Sequence, residues 1–108
     1  MSYSIFSISP FDKQLKRLSG KFPSLKDEYI QLIKDLENNP EMGKSLGNNC
    51  YKIRLAIAAK GKGKSGGARI ITHIHYEGNA VFLLSIYDKS EQKDITDREI
   101  KSLLSFIK

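Results

Sequence analysis

Midway along this chain the apolar residues change period from helical to alternating, and that change divides a helical part from a sheet-forming part. Up to Asn39 they recur at helical spacing; from Tyr51 onward they alternate. Phe11, Leu15, Leu18 and Phe22 form one stripe with Lys and Arg between them, and Leu25, Tyr29, Leu32, Ile33 and Leu36 form a second. Pro10 suits the first turn of the first helix, Gly20 and Pro23 end it, and Ser24 is placed to cap the next. Asn38-Asn39-Pro40 stops that second helix. A connection this short makes the two helices an antiparallel hairpin. Positions 40–49 read as a loop rich in Gly and Asn. Tyr51–Ala58 then alternates as a strand, with Ile53, Leu55 and Ile57 on one face and Lys52, Arg54 and Ala56 on the other. Ala68–Tyr76 is the next strand, and Glu77-Gly78-Asn79 a tight turn. Ala80–Tyr87 is apolar on both faces and therefore belongs inside the sheet. Tyr3–Ile8 reads as a short strand ahead of the helices. Thr96-x-x-Glu99 is a capping box, opening a last helix along Ile100, Leu103, Leu104 and Ile107.

The expected fold is therefore α+β, in the order β-α-α-β-β-β-α. A small antiparallel β-sheet carries the helical hairpin on one face, and a C-terminal helix closes the chain. A chain of 108 residues suits one domain spanning 1–108. The N-terminus has neither a basic segment nor a long apolar one, so no signal peptide is expected, nor any membrane span. The single Cys50 cannot form an internal disulfide, which fits a cytoplasmic protein. His and Cys lack ligand spacing, so no metal site is expected.

Charge placement says more than its total of +6. Between Met42 and Tyr76 there is no Asp or Glu, yet the window holds Lys44, Lys52, Arg54, Lys60, Lys62, Lys64 and Arg69. The whole positive excess sits in that central third. A basic surface on an otherwise neutral chain points to an anionic partner such as nucleic acid. Lys52 and Arg54, two apart on a strand, project the same way about 6.6 Å apart, a repulsive arrangement unless an anion comes to it.

The run Lys60–Gly67, KGKGKSGG, fits a dinucleotide-binding pattern at Gly61, Gly63 and Gly66, and ends like a P-loop at Gly63-Lys64-Ser65. Both patterns must open a helix. Here the chain runs instead into ARIITHIHY, a β-branched strand, and the first P-loop glycine is replaced by Ala58. The run is therefore a hairpin connection whose lysines are free to touch phosphates.

Four segments together resemble the RelE/ParE superfamily of toxins from bacterial toxin–antitoxin systems. They are Pro40-Glu41-Met42-Gly43-Lys44-Ser45-Leu46, Tyr51-Lys52-Ile53-Arg54-Leu55, Gly66-Gly67-Ala68-Arg69-Ile70-Ile71, and Leu83-Leu84-Ser85-Ile86-Tyr87-Asp88-Lys89. The loop of the form GKxGGxR is most similar to the HigB-like branch. The resemblance implies a metal-independent endoribonuclease that cuts mRNA in the ribosomal A site through attack of the 2′-hydroxyl, needing no cofactor. It also implies a cognate antitoxin, often a helix-turn-helix protein from the neighbouring gene. By position, Lys52 and Arg54 match the family's paired basic residues, Arg69 its strand arginine, and Lys89 a basic position after the last strand suited to proton donation. Tyr87 would orient the 2′-hydroxyl or stack on a base. Lys52 or Lys64 would serve as base, a role that needs crowding by neighbouring cations to lower its pKa. Lys44, Lys60, Lys62 and His73 would contact RNA or the ribosome. His73 and His75 share strand parity with Arg69, but a histidine on a strand is more often structural. The basic region contains no obvious carboxylate. Two other readings fit the same superfamily or charge pattern: a ParE-like DNA gyrase inhibitor, and a non-catalytic RNA- or ribosome-binding module.

Overall fold

The computed structural model describes residues 2–57 and 66–107. Strand β1 (Ser4–Ser7) leads into helix α1 (Ser9–Lys21) and helix α2 (Leu25–Asn38). Strands β2 (Lys44–Gly47), β3 (Cys50–Leu55), β4 (Ala68–His75) and β5 (Ala80–Asp88) come next, and helix α3 (Asp97–Leu104) closes the chain. The five strands form one sheet in the order β1-β5-β4-β3-β2.

The helical hairpin forms as its stripes require. Phe11 and Leu18 of α1 and Leu25, Leu32 and Leu36 of α2 are buried against Ile53, Leu55, Ile70 and Ile86 of the sheet. Fully burying a side chain of this kind contributes about 1.5–3 kcal/mol, so these residues hold the hairpin to the sheet. Two details of the helix ends differ from expectation. Helix α1 runs through Gly20 to Lys21, and Ser24 makes no capping bond; its hydroxyl is buried without a partner.

The sheet differs from the expected antiparallel meander at both ends. Antiparallel pairing holds for β2–β3, β3–β4 and β4–β5, but β1 lies parallel to β5, with Phe6 opposite Phe82. The helical hairpin carries the chain from β1 to β2 at the opposite edge, and the antiparallel run β2–β5 then returns it alongside β1. Part of the segment expected to be a loop, 40–49, is the edge strand β2. Asn48 and Asn49 both sit at positive φ (53° and 59°), with Gly47 opposite Cys50. That is a two-residue hairpin turn, so the asparagines mark a strand connection. Four residues without alternation carry no strand signal of their own; pairing with β3 makes them one. Strand β3 itself ends at Leu55, short of the expected Ala58.

Two glycines are fixed by close approach. Gly43 sits at φ +92°, and a Cβ there would run into the backbone carbonyl of Lys52. A Cβ on Gly67 would meet the backbone carbonyl of Leu55. Both glycines press against β3, at the ends of the stretch that carries Lys52 and Arg54.

Candidate active site

Register brings the basic residues together. Arg54 of β3 lies directly opposite Arg69 of β4, and Arg69 lies opposite Tyr87 of β5. Directly opposed residues in an antiparallel sheet share a face, so these three form a row across the three inner strands, near one end of each. Lys52 is one strand period from Arg54 on that face, and Lys44 of β2 lies directly opposite Lys52. Like charges set opposite one another are destabilising. Lys44 against Lys52 and Arg54 against Arg69 therefore raise the energy of the empty face and lower that of an anion bound to it.

This face is not open, contrary to the sequence expectation. Cys50 and Ile71, which share it with Lys52 and Arg69, are fully buried. Lys52 Nζ donates to Asp94 Oδ1 at 3.1 Å, which places α3 and the segment before it over this side. Arg69 is only 4% exposed and Tyr87 likewise 4%. The Arg69 guanidinium donates to the Ala68 carbonyl at 3.1 Å. Among the described residues the Tyr87 hydroxyl, which is buried, has no hydrogen-bond partner within bonding geometry. Burial, reinforced by the charge of Asp94 and opposed by that of Arg69, pushes its pKa up to about 12. Asp94 acts on it chiefly through its field, with a smaller hydrogen-bonding contribution. At neutral pH Tyr87 is thus an un-ionised phenol, able to donate its proton in a hydrogen bond.

Asp94 is the residue that sequence reading missed. It lies 42 positions from Lys52, in a charged loop with nothing to single it out. Its carboxyl is held below the usual range by the Ile95 amide (2.8 Å), then by Lys52 and the charge of Lys44. The basic region therefore has a carboxylate after all, brought by the tertiary fold.

The other candidates are dispersed. Lys89 is exposed on the turn after β5, where Ser90 folds back onto the Asp88 carboxylate and Lys89 N–H donates to the Gly67 carbonyl at 3.1 Å. That turn abuts the start of β4, within one strand period of the row. His73 sits four residues along β4 from Arg69, about 13 Å away. It is half-buried against Cys50, Nδ1 to Sγ 3.5 Å, and burial lowers its pKa. This position fits packing. His75 is exposed at the far end of β4. Lys60, Lys62 and Lys64 lie outside the described residues. Among the described residues no group of three His, Cys, Asp or Glu side chains could hold a metal ion.

Two depressions adjoin the row. A groove of about 520 Å³ runs along β5 beyond the end of β1, between α1 and α3. It borders Tyr87, but its lining cations Lys13 and Arg17 are balanced by the carboxylates of Glu91 and Glu99, and Arg17 pairs with Glu91 at 2.9 Å. A second, of about 370 Å³, is lined by Met42, Gly43, Lys44, Lys52, Ile53 and Arg54. It holds three cations and no lining carboxylate, so it is the better seat for a phosphate despite its smaller size.

A compact α+β frame that gathers cations and a neutral phenol on one sheet face is electrostatically suited to an anionic ligand. The sequence matches the RelE family, described as the RelE toxin of the RelE/RelB toxin–antitoxin system, over residues 6–108. The chain belongs to the RelE toxin family, whose members are ribosome-dependent mRNA endoribonucleases. Three solved structures share the fold. The free E. coli toxin RelE with two arginines replaced by alanine matches at 18% identity and a TM-score of 0.67, covering 100% of both chains. The intact E. coli RelBE toxin–antitoxin complex matches at 20% identity and 0.63, covering 81% of this chain and 96% of that one. The isolated E. coli RelE toxin matches at 17% identity and 0.53, over 98% and 100%.

Proposed function

We propose that this chain is a single-domain toxin that cuts mRNA in the ribosomal A site with its own side chains alone. One observation carries the reading: Arg54, Arg69 and Tyr87 form a continuous row across three strands, with Lys52 and Lys44 one period away. In-line attack of a 2′-hydroxyl on the adjacent phosphate forms the O2′–P bond and breaks the P–O5′ bond. It leaves a 2′,3′-cyclic phosphate and a 5′-hydroxyl. Negative charge builds on the phosphorane oxygens, and fixed cations stabilise it. Arg54 and Arg69 take that role, Arg69 as a bidentate contact. Tyr87, neutral at working pH, donates a hydrogen bond and orients the 2′-hydroxyl. Lys89, exposed beside the row, protonates the departing 5′-oxygen. Lys64 accepts the first proton, while Lys52, which donates to Asp94, serves as a cation of the site. Lys60, Lys62 and Lys44 hold flanking phosphates. His73, packed on Cys50, lies too far along β4 to join the chemistry and contributes at most a peripheral contact.

In this reading the toxin works in the cytoplasm and is neutralised by a cognate antitoxin. The spacing of Gly63, Lys64, Gly66, Gly67 and Arg69 assigns it to the HigB-like branch of the family. No helix among the described residues is long and apolar enough to cross a membrane. The decisive test is cleavage of a translated mRNA by the purified chain. Arg69→Ala and Lys89→Ala should each lower the rate at least about 100-fold. If both variants cut as fast as the parent, the assignment of the row is wrong.

A further inference from the structure

The cationic row is closed in the resting chain, and the residue that closes it is an anion. Lys52 keeps only 22% of its side chain exposed and spends one donor on Asp94 at 3.1 Å. The same Asp94 oxygen accepts the Ile95 amide at 2.8 Å, so the carboxylate is aimed by its own backbone. Lys44, opposite Lys52 on β2, acts on that carboxylate too. Asp94 itself is 66% exposed, free to swing outward. Behind it, the Tyr87 hydroxyl and Arg69 are both buried. Neither can meet a substrate until the cover over this face moves.

Resting on the ribonuclease reading, we propose that Asp94 is the resident anion of the phosphate site: its carboxylate occupies the place beside Lys52 that a backbone phosphate of the RNA takes, and RNA binds by displacing it. A carboxylate and a phosphate present oxygens of similar charge to an ammonium group, so the exchange trades one ion pair for another. The pair is partly exposed and weak, which lets a polyanion replace it. The empty toxin thus keeps Lys52 paired, while Arg69 and Tyr87 stay buried.

Asp94→Asn keeps the acceptor for the Ile95 amide and removes the charge. Its affinity should be measured for ribosomes programmed with an mRNA whose A-site codon carries 2′-O-methyl groups, over a range of potassium concentrations. Asp94→Asn should bind about fivefold more tightly at moderate salt. Its salt dependence should steepen by about 0.7 in the logarithmic slope, one more cation being free to meet phosphate. Asp97→Asn, which removes a nearby charge that does not touch Lys52, should stay within about twofold of the parent. Equal or weaker binding by Asp94→Asn, or equal gains from both variants, overturns the proposal. A second measurement needs no variant: carboxyl-carbon resonances of the parent chain with a saturating 2′-O-methyl trinucleotide. Asp94 should shift and Asp97 stay; an unmoved Asp94 also overturns the proposal. If the parent neither binds programmed ribosomes nor cuts mRNA, the ribonuclease reading falls and takes this inference with it. If the parent does both and Asp94→Asn is no tighter, only the inference falls.

Discussion

At the scale of single residues, Tyr87 separates function from stability most cleanly. Its hydroxyl is buried and unpartnered, and an unsatisfied buried polar group costs about 1–3 kcal/mol. A side chain retained purely for packing would do better as phenylalanine. Tyr87→Phe should therefore melt at the same temperature as the parent or higher, while mRNA cleavage falls at least about 100-fold. Calorimetry and a cleavage assay on one preparation settle it; full activity in Tyr87→Phe would leave the hydroxyl with no role. Tyr87 was legible from the sequence as a candidate because it lies one strand period from Lys89. Its burial was not, because the residues that cover it are distant in the chain. His73 shows the converse. Parity on β4 put it on the face of Arg69, and only the contact with Cys50 revealed a packing role.

At the scale of elements, α3 is the one whose placement bears on access to the site. Its local signal is strong: Thr96 Oγ1 accepts the Glu99 amide at 3.1 Å, and Glu99 Oε1 accepts the Thr96 amide at 3.1 Å. Losing such a cap costs about 1 kcal/mol. For a chain of this size that lowers Tm by roughly 4–8 °C. Thr96→Ala should show that drop, and its α3 amides should exchange faster with solvent while those of β4 keep their protection. An unchanged melt would mean that Ile100 and its neighbours hold the helix without the cap. The capping box was readable from Thr96-x-x-Glu99 alone because both bonds lie within four residues. Which face α3 covers was not readable, since its apolar stripe fits any apolar surface. Strand β2 was missed for a related reason: four residues with two positive-φ asparagines after them look like a loop until a partner strand is present.

Over the whole molecule, the positive charge is concentrated in one third of the sequence, and ionic strength should govern binding accordingly. Replacing Lys60 and Lys62 together by alanine should weaken binding to programmed ribosomes and reduce the logarithmic salt slope by about 1.4, if each lysine meets one phosphate. An unchanged slope would make that segment a soluble connection only. The sequence by itself determined the order of every element but β2, the helical hairpin, the antiparallel core of the sheet and the set of cations, because period, capping and charge are local or compositional properties. Gly43 and Gly67 stand out in the sequence, but the β3 backbone pressed against each is a property of the folded sheet. The tertiary structure alone decided the parallel seat of β1, the edge strand β2, the row Arg54–Arg69–Tyr87 and the meeting of Lys52 with Asp94. Each depends on register or on contacts between residues far apart in the chain. Such contacts form only when the whole sheet closes, and no window of neighbouring residues encodes them.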